Sequence, residues 1–350
     1  MTPDASLSAL PTRAGLSAWV PFLVILPILG GLELLTRGSP FLVYISLMVG
    51  VNVILAVSLN IVNGMTGQFS LGHAGFMAVG AYAAAKFSMA MDPWKIIGVA
   101  VAPSDQIIFL FSLLIGGAAA GLCGFLVGLP SLRLRGDYLA VVTLGFGEII
   151  RVVAQNSDAL GRALGLSGIP QRTTIFTVGF FVFLVILVAK RLADSPHGRS
   201  LVAIREDEVA ASAMGINTTA YKVRAFVIAS FFAGVAGGLF SHFQSVINPM
   251  TFNWVRSMEI VVMVVAGGLG STTGSVVAAV SLTLLPEGLR TLFNSLNLNA
   301  GRIDQVRMPI YGLLLVVLML VRPQGLFGTR EAWDMWRKRK PTPAATEEGA

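Results

Sequence analysis

The sequence predicts an all-α protein, a polytopic transmembrane helical bundle of about ten spans, some of them discontinuous. Three observations lead there. Of 350 residues, 55% are hydrophobic and only 12% are charged, whereas a soluble domain carries about 25% charged residues. The surplus apolar surface must face lipid. The apolar residues also fall into long stretches, and a helix needs about 20 residues to cross a hydrocarbon core of about 30 Å. Finally, the basic residues behind the net charge of +7 gather at the edges of those stretches. A nucleic-acid binder would concentrate them in a patch, so that class is excluded.

The spans are expected at 18–36, 40–62, 68–90, 107–131, 138–155, 174–191, 223–245, 257–270, 274–291 and 308–322. Residues 1–17 read as a short cytoplasmic tail, since no basic segment precedes an apolar one with a cleavage site. Residues 18–328 form the transmembrane domain, and 329–350 a basic, then disordered, cytoplasmic tail. Lys190, Arg191, Arg199, Arg205, Lys222 and Arg224 fall on one face with Arg133, Arg135 and the basic tail. That face is cytoplasmic, and an even span count puts both termini there. The chain is thus expected as a multi-pass protein of a bacterial inner membrane. The single cysteine, Cys123, lies in an apolar run and reads as a small buried hydrophobe.

Four features interrupt the apolar pattern. Residues 63–75 run Asn-Gly-Met-Thr-Gly-Gln-Phe-Ser-Leu-Gly-His-Ala-Gly. Polar irregular backbone within a membrane needs surrounding protein or a watery cavity, as in the broken helices of transporters. The same residues also fit a surface turn followed by a glycine-packed helix. One histidine is no metal site, and His73 is expected to bond a backbone carbonyl. Within the fifth span, Glu148 and Arg151 are three apart and can pair on one helix face, lining a path or bracing the bundle. Glu259, and Glu287 with Arg290, lie nearer span ends, where snorkelling accounts for them. Residues 267–274 (Gly-Gly-Leu-Gly-Ser-Thr-Thr-Gly) lack the lysine of a phosphate loop and read as a tight turn between packed helices.

The loop 194–222 is too long for a plain connector. Three acids at 206–208 suit a helix N-terminus, and Gly215 suits a left-handed C-terminal cap. Asn217, Thr218 or Thr219 can cap the next helix. Small residues at 210–213 give a smooth surface that a partner can approach closely. A helix lying on the bilayer is the rival reading, but its acidic centre would repel anionic lipid.

These residues resemble a known family. Gly67-Gln68-Phe69-Ser70-Leu71-Gly72-His73-Ala74, Gly136-Asp137-Tyr138-Leu139-Ala140 and Leu144-Gly145-Phe146-Gly147-Glu148-Ile149-Ile150-Arg151 are similar to the permeases of branched-chain amino acid ABC importers. So are Arg205-Glu206-Asp207-Glu208-Val209-Ala210-Ala211, Met214-Gly215 and Arg322-Pro323-Gln324-Gly325-Leu326-Phe327-Gly328, in order over 40–328 and most like the LivM group. The resemblance implies an ABC importer permease fold with no enzymatic activity and no cofactor. It implies as partners a second related permease in a heterodimer, two cytosolic ATP-binding subunits, an extracytoplasmic solute-binding protein and membrane lipid, with no nucleic acid. On this reading Glu208, Ala210, Ala211 and Gly215 couple the chain to its ATPase, although Val209 stands where such importers place a glutamate. Gln68, Ser70, His73, Glu148 and Arg151 become candidates for the translocation path, with no catalytic residue and no metal ligand. The outer loop 156–170 departs from the family pattern. A sister permease for urea or short amides would share these motifs. A membrane hydrolase using Ser70 and His73 is the alternative of another class, without the nucleophile context it needs.

Overall fold

The computed structural model describes residues 38–91, 102–132 and 137–295, with Glu33, Leu313, Gly325 and Gly328 as isolated positions. The expected spans 18–36 and 308–322, and both tails, otherwise lie outside the described residues. Among the described residues, ten α-helices follow in order: α1 Pro40–Asn60, α2 His73–Met91, α3 Ala102–Ser131, α4 Asp137–Asn156, α5 Ile175–Asp194, α6 Pro196–Glu206, α7 Glu208–Ala213, α8 Thr218–Gln244, α9 Trp254–Gly267 and α10 Thr272–Ser295. A short antiparallel ladder joins β1 Leu166–Ser167 to β2 Val246–Ile247.

Among the described residues, six segments are long and apolar enough to cross a membrane: Pro40–Met65, Asp105–Ser131, Tyr138–Asn156, Ile175–Asp194, Thr218–Gln244 and Thr272–Arg290. Two other expected spans fall short. Helix α9 has 14 residues, about 21 Å at 1.5 Å per residue, and cannot cross alone. Helix α2 is rich in alanine and glycine, because it packs inside the bundle and meets little lipid.

The centre is a close triplet of α2, α3 and α8. A Cβ on Gly80 of α2 would overlap the Gly234 backbone of α8, and one on Gly234 would come within 2.7 Å of the Gly116 carbonyl of α3. Lipid supplies no hydrophobic force between helices, so contact this close is what dispersion requires. The rings of Phe76 and Phe226 meet edge-on at 5.3 Å beside it. Helix α8 is 78% buried and α4 only 22%, which makes one the axis and the other a flank.

Local chemistry sets the helix ends. Thr174 and Thr177 form a reciprocal capping box at α5. Ser195 caps α6 ahead of Pro196, and Asn253 caps α9. The connection through α6 and α7 defines the basic face. The ladder marks the opposite face, where the Ile169 amide donates to the Ser245 carbonyl and Arg172 bonds Asp105.

Gly80→Ala is expected to cost about 2–3 kcal/mol through overpacking against backbone. Gly288→Ala, inside a helix where a Cβ meets nothing within 4 Å, should instead stabilise by about 0.5–1 kcal/mol. Thermal unfolding of the solubilised protein separates the two.

Candidate functional site

Helix α1 does not end in a simple turn. Residues Ile61–Met65 wind as a π-helix, residues 66–72 run without helix, and α2 opens at His73. It therefore starts five residues later than the expected span at 68. Ser58 sits seven residues, or about 10 Å of helix, before the end of that winding, yet its Oγ lies 2.9 Å from His73 Nε2. The N-terminus of α2 thus lies inside the bundle, and the discontinuous reading of 63–75 is the one that holds.

Side chains supply the hydrogen bonds that this backbone gives up. The Ser70 amide donates to Asn63 Oδ1 at 3.2 Å. The Leu71 amide donates to Thr143 Oγ1 of α4 at 3.0 Å, and the Ala74 amide to Ser257 Oγ of α9 at 3.1 Å. Polar loops survive in a membrane on this condition. His73 does not take the carbonyl expected from the sequence. The Ser58 hydroxyl already donates to the Leu55 carbonyl at 3.0 Å, so the His73 Nε2 proton goes to Ser58 Oγ. Ser70 is not bonded to His73, which removes the arrangement a hydrolase would need.

The path candidates divide into two groups on touching elements. Gln68, Ser70 and His73 are buried on the broken segment. Gln68 Oε1, Ser70 Oγ and Asn63 Nδ2 are buried and make no hydrogen bond to any described residue, each a cost of about 1–3 kcal/mol. Glu148 and Arg151 lie on α4, joined at 2.7 Å with side chains 29% and 20% exposed. Glu148 Oε1 also accepts the Trp254 amide that opens α9, and Arg151 reaches Met250 Sδ. No hydrogen bond links the two groups among the described residues; their backbones meet where Gly147 of α4 passes Gly75.

A second break, between α9 and α10, crosses the first. The Gly270 amide donates to Asn60 Oδ1 at 2.9 Å, and a Cβ on Gly64 would overlap Gly270. The expected tight turn is therefore also a joint. Above it lies a network that sequence reasoning missed: Arg256 bonds Glu259 at 2.8 Å and Asn52 Oδ1 at 2.5 Å, and Asn52 donates to Thr283. Glu259 is buried, not snorkelling. Its three-residue spacing from Arg256 was the available signal.

The loop 194–222 holds two helices where one was expected over 206–215. Asp207, in extended conformation, ends α6 and caps α7, with Oδ1 accepting the Val209 and Ala210 amides at 2.8 and 3.0 Å. Gly215 takes the left-handed conformation at φ +82° and closes α7, with the Ile216 amide reaching back to the Ala211 carbonyl. Asn217 caps α8 through Ala220. Glu208, one place off the family position, pairs with buried Lys222 of α8 at 2.6 Å. Ala210 is exposed beside Val209 and Met214, whereas Ala211 is buried against its own chain. Arg205, at the end of α6, donates to the Gly64 carbonyl at 3.0 Å. That bond joins the loop to both breaks.

Residues 41–321 match the family described as branched-chain amino acid transport system permease component. The chain is 35% identical to the high-affinity branched-chain amino acid transport system permease protein LivM of Salmonella typhimurium and 34% to that of Escherichia coli, in each case over 84% of this chain and 71% of the relative. It is also 23% identical to the probable branched-chain amino acid transport permease protein LivH of Methanocaldococcus jannaschii, over 75% of this chain and 84% of that one.

Glu208→Ala strands the Lys222 ammonium and should cost about 2 kcal/mol, below the range for a fully buried pair because Glu208 is 31% exposed. Adding Lys222→Met should restore most of that loss. A double-mutant cycle on unfolding midpoints checks it, and equal losses in single and double variants would contradict the pairing.

Proposed function

The chain belongs to the family of branched-chain amino acid transport system permease components, and on that premise we propose that it supplies half of the translocation path of an ATP-driven importer of branched-chain amino acids. It is a transport subunit, not an enzyme. The second half is a related permease of the LivH kind. That the same chain aligns with both LivM and LivH relatives supports two permeases of one architecture facing each other.

One observation carries the reading. Helix α4 is the least buried of the six membrane-crossing segments, and on it the Glu148–Arg151 pair stays partly exposed at mid-span. An ion pair facing hydrocarbon is expensive. The stripe of Tyr138, Val141, Ile149 and Val152 around it therefore suits a protein neighbour or a watery path better than lipid. The broken segment behind α4 keeps three buried polar atoms with hydrogen-bonding capacity to spare. A zwitterionic solute passing such a path needs few strong contacts, since tight binding there would slow release. Selection of the solute belongs mainly to an extracytoplasmic binding protein.

On the basic face, which is cytoplasmic by the positive-inside rule, α7 offers Val209, Ala210 and Met214 to an ATPase subunit. Closure of two such subunits on ATP pushes α7, and Arg205 passes the displacement to both breaks. The spans then rock about the path in alternating access. Gln68, Ser70 and His73 move with the broken segment, and Glu148 with Arg151 follows through α4.

Reconstitution with the two ATPases, the second permease and the binding protein tests the proposal. ATP-dependent leucine uptake that excess urea or short amides leave unchanged is the expected result; competition by an amide would reassign the solute. Ala210→Arg should lower uptake at least about tenfold, because a charge is forced into the docking surface, while membrane insertion stays normal. Wild-type uptake by that variant removes the docking role.

A further inference from the structure

Where α5 turns into α6 on the basic face, a cavity of about 140 Å3 opens against α8. Leu192, Leu201 and Ile228 wall it, with His197, Tyr221 and Arg224 at its polar edge. A dry apolar cavity of about 150 Å3 is enough to hold a benzene ring, so this one takes a comparable length of hydrocarbon. It sits at the level of a membrane interface: Leu192 is in the last turn of α5, and Arg224 is in the second turn of α8. The adjoining α5 is only 28% buried, so its flank is open beside the cavity.

The polar side chains beside the cavity include the cation Arg224 and are held in place. The Arg224 guanidinium lies 5.8 Å over the Tyr221 ring, and His197 Nδ1 is 3.4 Å from the Tyr221 hydroxyl. Exposed Arg191 and Arg199 stand on the adjoining turns, against a single acid, Asp194. Charge is thus divided along the loop: α6 is basic, and Asp207 and Glu208 make the start of α7 acidic.

We propose that this cavity binds one anionic phospholipid, with an acyl chain entering between Leu192, Leu201 and Ile228 and the phosphate set against Arg224. A guanidinium receives phosphate oxygens in a fixed fork, and each basic group at a membrane surface favours an anionic lipid by about fivefold. The site is separate from the broken segment and does not depend on the identity of the solute. Bound there, the lipid fills the corner from which α6 and α7 project and steadies the base of the coupling loop.

The full chain is reconstituted in nanodiscs of equimolar phosphatidylglycerol and phosphatidylcholine, extracted gently, and its retained lipid counted by native mass spectrometry. Wild type should keep one phosphatidylglycerol per chain, preferred by about fivefold or more. Arg224→Gln should bring the two lipids to near parity, and Ile228→Trp, which fills the cavity, should abolish retention. Arg224 is exposed, so its variant decides the matter even where Ile228→Trp fails to fold. Equal retention of both lipids by wild type, an unchanged preference in Arg224→Gln, or a photocrosslinker at position 197 that labels a protein subunit and no lipid would overturn the proposal.

Discussion

Backbone that leaves a helix inside a bilayer must find its hydrogen bonds within the protein, and residues 61–74 meet that demand by borrowing from three other elements. Thr143 comes from α4, Ser257 from α9 and Arg205 from α6, while Asn63 serves from the segment itself. Each group left unmet in hydrocarbon costs several kcal/mol. The break is therefore held by the whole bundle, and it cannot shift without those elements shifting too. On the proposed coupling, a displacement at the basic face would reach the membrane interior through these contacts.

The loop that receives such a displacement is braced at three points. Asp207 fixes the start of α7, Glu208 and Lys222 tie it to α8, and Arg205 ties α6 to Gly64. Between α6 and α7 only the extended Asp207 intervenes. The two short helices can transmit force as one body and still change their angle at a single residue. Ala211 adds to this by packing inward, which leaves Ala210 and Met214 to carry the outer surface.

Much of the architecture was legible because lipid imposes a coarse rule. Apolar stretches of about 20 residues, with basic edges, marked the helices that cross. Polar and glycine-rich interruptions marked the breaks, and short-range chemistry at Gly215 and Asn217 marked the ends of the loop helices. What escaped depends on contacts far apart in the chain. Neither the His73–Ser58 bond nor the Arg205–Gly64 bond leaves a local pattern. The inward face of Ala211 depends on where α7 is seated. Helix α6 was overlooked because its composition resembles an ordinary charged connector. The Arg256–Glu259 pair was within reach, since the spacing rule that joined Glu148 to Arg151 applies to it equally; its place near an expected span end concealed it.

The central claim is that Arg205 links ATP-driven motion at the basic face to the broken helix. The most direct test measures ATP hydrolysis and leucine uptake together in the reconstituted assembly carrying Arg205→Met, with assembly confirmed by co-purification. Hydrolysis near the wild-type rate with uptake reduced at least about tenfold, a loss of about 1.4 kcal/mol or more in coupling, is the predicted result. Uptake that keeps its wild-type ratio to hydrolysis would contradict the claim and send the force through another contact.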